Sequence, residues 1–444
     1  NDTSQEHIAV AVRVRPLNAR EVSSAQSERF SIDESGRSFL LEVQLGFELL
    51  HQVDEKGSLI PNSVYTYGLP HFCTFIFLDC VFGPEDTTER VYSGVGKHIV
   101  DSFMQGINGD CLFNPVMPIG TIFAYGQTSS GKTYTMHGDE SSPGLLYLAS
   151  KDIFDYVNRT SSREFILRAS YVEIYKEEVK DLLDPSTPTL RIRESYERGV
   201  YVESKEEEIH NYQEILNVSF ATPINPQLLS VGEKNRHVGV TNMNQQSSRS
   251  HTIFKIVCES RLRDEALSGV TDPGGVLVGQ LSLVDLAGSE SVRFTGATGE
   301  TLDEARKINL SLSVLSRVIA SLASKSENSH VSYRDSKLTR ILQSSLDGNA
   351  RTAIIACVTP SSSFCVEPRG RVGVYETIST LKFAQRAKSI HTSARVNELL
   401  DDKGVIRKLK KEIEDLKRQL KGNLVVASPA VPAVPAMPAV PATP

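Results

Sequence analysis

The sequence predicts an α/β fold in which a central mixed, mainly parallel β-sheet carries helices on both faces. Three observations lead there. Between residues 8 and 390, short apolar runs alternate with stretches of helical character: IAVAVRV (8–14), ILRASYVEI (166–174), TIFKIVCES (252–260), QLSLVDL (280–286) and TAIIACV (352–358). Strands joined by crossover helices give that alternation. A further run, TIFAY (121–125), leads directly into GQTSSGKT (126–133), a glycine-bracketed turn of the kind that ends a strand and opens a helix. Finally, Ile406, Leu409, Ile413, Leu416 and Leu420 are spaced three, four, three, four among Lys, Arg and Glu, which is a short coiled-coil seam.

Bulk properties narrow the class. The chain has 444 residues, 40% of them hydrophobic and 23% charged, enough for one large α/β domain with appendages. The formal net charge of -6 argues against a broadly basic nucleic-acid binder and leaves room for a local cationic patch. No apolar run reaches bilayer length, and NDTSQEH at the start has no signal-peptide pattern. Nucleic acid and membrane are therefore not expected partners. The six cysteines lack metal-ligand spacing and are expected as free thiols in a cytosolic protein. The chain reads as an N-terminal extension (1–7), a nucleotide-binding body (8–390), a linker (391–402), the heptad helix (403–422) and a Pro/Ala tail (423–444), which cannot build a helix ladder.

The turn at 126–133 fits G-x-x-x-x-G-K-[ST], with Gly126 and Gly131 bracketing it and Lys132 and Thr133 completing it. The glycines let backbone N–H groups curl around phosphates, Lys132 brings an ammonium to the outer phosphates, and the Thr133 hydroxyl suits Mg²⁺. Such a cradle needs partners that sense the terminal phosphate. NQQSSRSH (244–251) is a polar loop before a strand, and VDLAGSE (284–290) is a strand end followed by glycine. Asp285 can hold Mg²⁺ through water, Gly288 can offer its N–H to the terminal phosphate, and Ser247 and Ser248 can position water or metal. Arg249 and Glu290, costly alone near such a site, are expected to pair and latch the two loops together.

GQTSSGKTYTM, NQQSSRSH and VDLAGSE, in this order and separation, resemble the kinesin motor domain. So do VRVRPLN (12–18), VFGPEDTTERVY (81–92), SYVEIYKEEVKDLL (170–183), GEKNRHVGVTNMN (232–244), YRDSKLTRILQSSLDGNART (333–352) and TISTLKFAQRAK (377–388). The resemblance covers most of the chain and is greatest to the kinesin-7, centromere-associated class of N-terminal motors. It implies the P-loop NTPase motor fold, with a short neck helix following. It also implies a microtubule-stimulated ATPase with ATP and Mg²⁺ as cofactors, microtubules as partner, and the cytoplasmic cytoskeleton as location.

Carried onto matching positions, Arg13, Arg15 and Pro16 would line the adenine pocket, with Tyr134 stacking nearby. Gln127, Thr128, Ser129, Ser130, Gly131, Lys132 and Thr133 would hold phosphates and metal. Switch I would run over 244–251, with Asn244 at its start, and switch II would begin at Asp285. The track-facing segments would be 302–323 and 330–342, with Arg293, Lys307, Arg334, Lys337 and Arg340 as cations for acidic tubulin. Residues 388–402 align with a neck linker placed after the motor, which implies plus-end direction. The heptads beyond would form a homodimeric neck.

Four stretches interrupt the family pattern: GLPHFCTFIFL (68–78), DCLFNPVMPIG (110–120), VSFATPINPQ (218–227) and FCVEPRGRVGV (364–374). Each is about ten residues, a length surface loops absorb at small entropic cost. Each is either a real loop or a retained short intron, and an expressed transcript lacking them would decide for the intron. Ser316, where the family more often has glycine, is small enough to be expected to change little. The competing reading is a kinesin-like microtubule binder with impaired or no motility. A small GTPase is disfavoured because no N-K-x-D guanine-selecting motif is found.

Overall fold

In the computed structural model of the chain, the described residues are 6–23, 30–32, 39–41, 64–68, 72–76, 78–108, 119–139, 141–195, 199–215, 228–238, 248–263, 276–290, 300–324, 331–346, 350–360 and 372–392. The expected heptad helix (403–422) and Pro/Ala tail (423–444) lie outside them, as does most of the linker.

The chain opens with β1 (Glu6–His7) and β2 (Ala9–Val14), the latter buried at every residue after its first, as an unbroken apolar run predicts for a strand covered on both faces. Helix α1 (Ala19–Ser23) follows a reciprocal cap: Glu21 N–H donates to the Asn18 side chain at 3.0 Å, and Asn18 N–H donates to the Glu21 carboxylate at 2.8 Å. Strands β3 (Phe30–Ile32), β4 (Phe39–Leu41), β5 (Val64–Gly68) and β6 (Phe72–Ile76) form a separate sheet in that order. Next come β7 (Cys80–Phe82), α2 (Thr88–Val91) and, through a π-helical turn at Tyr92–Gly96, α3 (Lys97–Asn108).

Strand β8 (Ile119–Tyr125) leads to α4 (Lys132–His137) and α5 (Leu145–Arg159). Strands β9 (Arg163–Tyr175) and β10 (Glu178–Asp181) form a hairpin turned by Lys176 and Glu177, both at positive φ (53° and 63°), as a two-residue primed turn demands. A smaller hairpin, β11 (Ile192–Ser195) with β12 (Gly199–Val202), precedes β13 (Glu207–Ile209) and α6 (Leu228–Val238). Then come β14 (His251–Leu262), β15 (Leu277–Asp285), the long α7 (Glu300–Ala323), α8 (Lys337–Ile341), α9 (Gln343–Leu346), β16 (Arg351–Val358), α10 (Val372–Lys388) and β17 (His391–Thr392).

The main sheet has the order β10-β9-β14-β15-β8-β16-β2-β7, with β13 added beside β9. It is mixed rather than mainly parallel: β15, β8, β16, β2 and β7 pair parallel, whereas β10, β9, β13, β14 and the β14–β15 contact are antiparallel. The β9–β10 hairpin and the antiparallel pairing of β14 with both β9 and β15 make the difference. The apolar runs read from the sequence are all strands of this sheet. Along β8, Ile122 and Ala124 join the core with α3 and α5, while Phe123 and Tyr125 join the core with α7 and α10. That two-sided burial is why the run lacks polar alternation.

The apolar stretch at 68–78, expected as a loop, instead supplies β6, paired antiparallel with β5 from Val64↔Ile76 to Gly68↔Phe72. The ends of two other interruptions are also regular structure, since Ile119 and Gly120 open β8 and Val372 opens α10. The stretch at 218–227 is outside the described residues. Burial raises the pKa of the Tyr125 hydroxyl to about 12, and a hydrogen bond with Ser316 on α7 offsets part of that rise. At the end of the body, β17 pairs with β1 (His7↔His391), and Ile8 N–H donates to Ile390 O at 3.3 Å. Among the described residues no helix is long and apolar enough to cross a membrane.

Tyr125, the last residue before the glycine turn, stacks on Phe383 of α10 with centroids 3.9 Å apart and planes 10° from parallel. Phe383 is buried, so Phe383→Ala is expected to cost about 3–5 kcal/mol, read as a lower urea midpoint. An unchanged midpoint would mean that α10 does not brace the turn.

Candidate functional site

Parallel pairing of β15 with β8 sets Asp285 beside Ala124, so the carboxyl ends of both strands open on one sheet edge. There the chain turns at Gly126 with φ +152°, where a Cβ would sit 2.2 Å from the Cys357 carbonyl oxygen, and at Gly131 with φ +96°. Lys132 is 6% exposed and its Nζ donates to Gln127 O at 2.8 Å. Burial lowers its pKa, while the Asp285 and Glu290 charges act in the opposite sense. The Thr133 hydroxyl donates to Asp285 Oδ2 at 2.6 Å. Asp285 Oδ1 and Ser130 Oγ are buried without a hydrogen-bond partner among the described residues.

Buried polar atoms cost free energy unless something satisfies them. A hydroxyl and a carboxylate in contact, with one carboxylate oxygen still unmet, match the oxygen preference of Mg²⁺. Lys132 and the orphaned Ser130 hydroxyl are donors suited to phosphate oxygens. The residues present therefore fit a Mg²⁺–nucleotide, with Thr133 and Asp285 toward the metal and 126–132 toward the phosphates.

The four residues expected at the base pocket gather beside this turn, with different jobs. The Arg13 guanidinium is buried, donates to Thr135 Oγ1 and Thr88 Oγ1 at 2.9 Å each, and lies 5.3 Å from the Tyr134 ring centroid. It thus supports Tyr134, which is 39% exposed. Arg15 donates from Nε to Ser129 O at 2.6 Å and makes a bidentate pair with Glu21 at 2.7 and 2.6 Å. Pro16 is exposed next to it. Glu21, which ties this arginine to the P-loop backbone, was not picked out from the sequence. Its signal was the N-x-x-E cap spacing from Asn18.

The described ends of the two loops expected to sense phosphate bond to each other and to the glycine turn. Gly288 N–H donates to Ser248 O at 2.9 Å, Ser289 N–H to Gly126 O at 3.0 Å, and Leu286 N–H to Ala124 O at 3.3 Å. The Gly288 N–H expected to face a phosphate is here engaged by the neighbouring loop. The expected Arg249–Glu290 pair is replaced: Glu290 accepts from Thr128 N–H at 2.8 Å and from the Thr128 hydroxyl. The physical reason is proximity, because a Cβ on Gly288 would lie 2.3 Å from both Glu290 Oε2 and Thr128 Oγ1. Thr128 offers two adjacent donors there, and Arg249 makes other contacts. Asn244 and Ser247 are outside the described residues. Beneath the loops Arg236, 1% exposed, sits 3.7 Å from Glu173 and 3.5 Å from Glu233 and donates to Ser250 Oγ at 3.3 Å.

Of the expected track cations, Lys307, Arg334 and Lys337 are exposed, and Arg334 lies 3.6 Å from Glu194. Arg293 is outside the described residues. Arg340 is not a free surface cation. Its side chain is 16% exposed, bonded to Glu194 and, at 2.8 Å, to Gln343, so it fastens the β11–β12 hairpin to α8. Glu177 caps the same helix, accepting from Ser336 Oγ at 2.8 Å and Lys337 N–H at 2.6 Å.

A family model for the kinesin motor domain matches residues 13–390. Kinesin-like protein KIN-7L of Oryza sativa subsp. japonica is 41% identical over 419 residues, 94% of this chain and 58% of that protein. Kinesin-like protein KIN-7M, chloroplastic, of Arabidopsis thaliana is 40% identical over 422 residues, 94% of this chain and 33% of that protein. The chain thus spans less than two thirds of these relatives. Among solved structures, a fast kinesin overlaps with TM-score 0.68 at 34% identity, covering 89% of this chain and 95% of that one. A KIF14 dimer bound with AMP-PNP to a microtubule overlaps with TM-score 0.70 at 29% identity, covering 91% and 100%.

The two glycines of the turn should differ in their tolerance of a methyl group. At Gly131 a Cβ meets nothing nearer than Arg15 Cβ at 3.6 Å, so Gly131→Ala is expected to cost about 1–2 kcal/mol for its positive φ alone. Gly126→Ala adds a backbone collision and should cost clearly more by chemical denaturation. Equal losses would contradict this geometry.

Proposed function

The chain belongs to the kinesin motor-domain family, and from that premise we propose that it is an ATP-hydrolysing, plus-end-directed microtubule motor. The observation that carries the reading is the meeting of buried Lys132 and Asp285 with the exposed Thr133 at one sheet edge, with the loops before β14 and after β15 bonded across it. Phosphoryl transfer asks little covalent chemistry of the protein, so positioned donors and charges lower most of the barrier. Lys132 places its charge against the outer phosphates. Thr133 and Asp285 would hold Mg²⁺, which when bound would supply charge neutralisation for the phosphates. Ser247 and Ser248 orient the attacking water, and Gly288 reads the terminal phosphate. Arg13 with Tyr134, and Arg15 with Pro16, bound the base. Glu290 ties the second loop to the P-loop through Thr128.

On the track side, the exposed cations Lys307, Arg334 and Lys337, together with Arg293, face acidic tubulin, so binding should weaken with salt. The KIF14 structure, in complex with a microtubule, supports that partner. The linker (391–402) leaves the body after α10, with its root at β17, and the heptads at 403–422 join two copies. The site of action is the microtubule cytoskeleton in the cytoplasm.

Microtubules are expected to raise ATP turnover strongly. Lys132→Ala should lower the stimulated rate by about 10²–10³-fold or more. Polarity-marked filaments gliding on the immobilised chain should move minus end leading. Stimulated turnover that survives Lys132→Ala would overturn the assigned site, and microtubule binding without gliding would favour a non-motile kinesin-like binder.

A further inference from the structure

We propose that His251 is the positioning residue through which the switch loops act on α7, by a one-directional chain of buried hydrogen bonds ending in that helix. The inference deepens the motor reading and rests on it for the link to the track. His251 opens β14, is 2% exposed, and sits one residue beyond the Thr252↔Asp285 pair at the edge where the loops meet. Ala287 N–H points at its Nδ1 at 2.9 Å, so that nitrogen accepts and the ring proton resides on Nε2. His251 Nε2 lies 2.6 Å from Ser311 Oγ on α7, and Ser311 Oγ donates in turn to Ile308 O at 2.6 Å. The chain therefore runs from Ala287 N–H to His251, to Ser311, to the Ile308 carbonyl.

No member of that chain can exchange its bonds with water: Ala287 is 0%, Ser311 2% and Ile308 8% exposed. A buried link of this kind transmits displacement because losing any bond strands a donor or acceptor. A charged ring would have no lone pair for Ala287. Burial, with Lys132 and Arg236 nearby, pushes the His251 pKa down to about 3, in keeping with a neutral ring. Ala287 lies between Leu286 and Gly288, whose N–H groups bind Ala124 and Ser248. Any movement of Gly288 toward or away from a phosphate must then pull on the imidazole and through it on Ser311. A second tether, Asn309 Nδ2 to Glu290 O at 3.1 Å, reaches the same helix from the end of the same loop. Lys307, exposed on α7, lies one helical turn before Ser311, so the pull arrives beside a cation assigned to the track.

The competing account is a buried histidine that merely satisfies its own neighbours. The two accounts separate in Ser311→Ala, which leaves the loops, His251 and the nucleotide contacts intact. Hydrogen exchange of the α7 amides is measured with ADP and with AMP-PNP, alongside ATP turnover with and without microtubules. The wild-type chain should show nucleotide-dependent protection in 300–323. Ser311→Ala should abolish it and lower microtubule-stimulated turnover by about 5- to 30-fold, with KM for ATP and basal turnover unchanged. Ser311→Thr, which keeps the hydroxyl, should restore both.

His251→Asn keeps an acceptor for Ala287 but is too short to place a donor at Ser311. It decides the matter should Ser311→Ala fail to fold, and the double variant should be no worse than His251→Asn alone. Nucleotide-dependent protection that persists in Ser311→Ala, or that is missing in the wild type, overturns the proposal. A wild type that shows the protection change without microtubule stimulation would instead overturn the motor reading and leave the chain from His251 to α7 standing.

Discussion

Everything at the nucleotide edge follows from the register between two parallel strands. Because Asp285 of β15 lies beside Ala124 of β8, both strands end together and their loops share one crevice, the usual place for a ligand in an α/β sheet. β14 pairs antiparallel with β15, so it begins where β15 ends. That places the residues before β14 (248–250), those after β15 (286–290) and the glycine turn side by side. A slip of one residue would turn Asp285 to the other face of the sheet and separate it from Thr133.

The crevice is held by polar contacts that compete with its ligands. The Gly288 N–H has one hydrogen to give and gives it to Ser248, while Glu290 uses Thr128 at the crest of the P-loop. For Gly288 to read a terminal phosphate under the proposed function, the bond to Ser248 must be exchanged for one to phosphate. The net difference between two such buried bonds is small, typically about a kcal/mol, which suits a switch whose states must lie close in energy. Rigid parts frame this exchange: the Tyr125–Phe383 stack behind the turn, and the Glu21–Arg15–Ser129 tie at its outer side.

Residues whose identity is dictated by local backbone shape were legible in the sequence. Gly126, Gly131, Lys132 and Thr133 could be read because a phosphate-wrapping turn admits few alternatives, and the buried strands because both their faces are apolar. Partners set by tertiary approach were not. Nothing local says that Glu290 meets Thr128, 162 residues earlier in the chain, or that Arg340 is claimed by Glu194, 146 residues earlier. The parallel bias was overread because antiparallel hairpins such as β9–β10 look, from composition, like any other apolar strand. The stretch FCTFI interrupts a family phrase and so reads as a loop, although its aromatic and β-branched content suits the strand it forms.

The central claim is that the phosphate-facing loops set the grip on a microtubule, and the affinity of the chain for microtubules in two nucleotide states tests it most directly. Co-sedimentation at fixed salt gives a dissociation constant with ADP and another with AMP-PNP. The two constants should differ by about 5-fold or more, the coupling expected between linked sites. Equal constants, with both nucleotides demonstrably bound, would contradict it, since a ligand that binds two states equally cannot shift them.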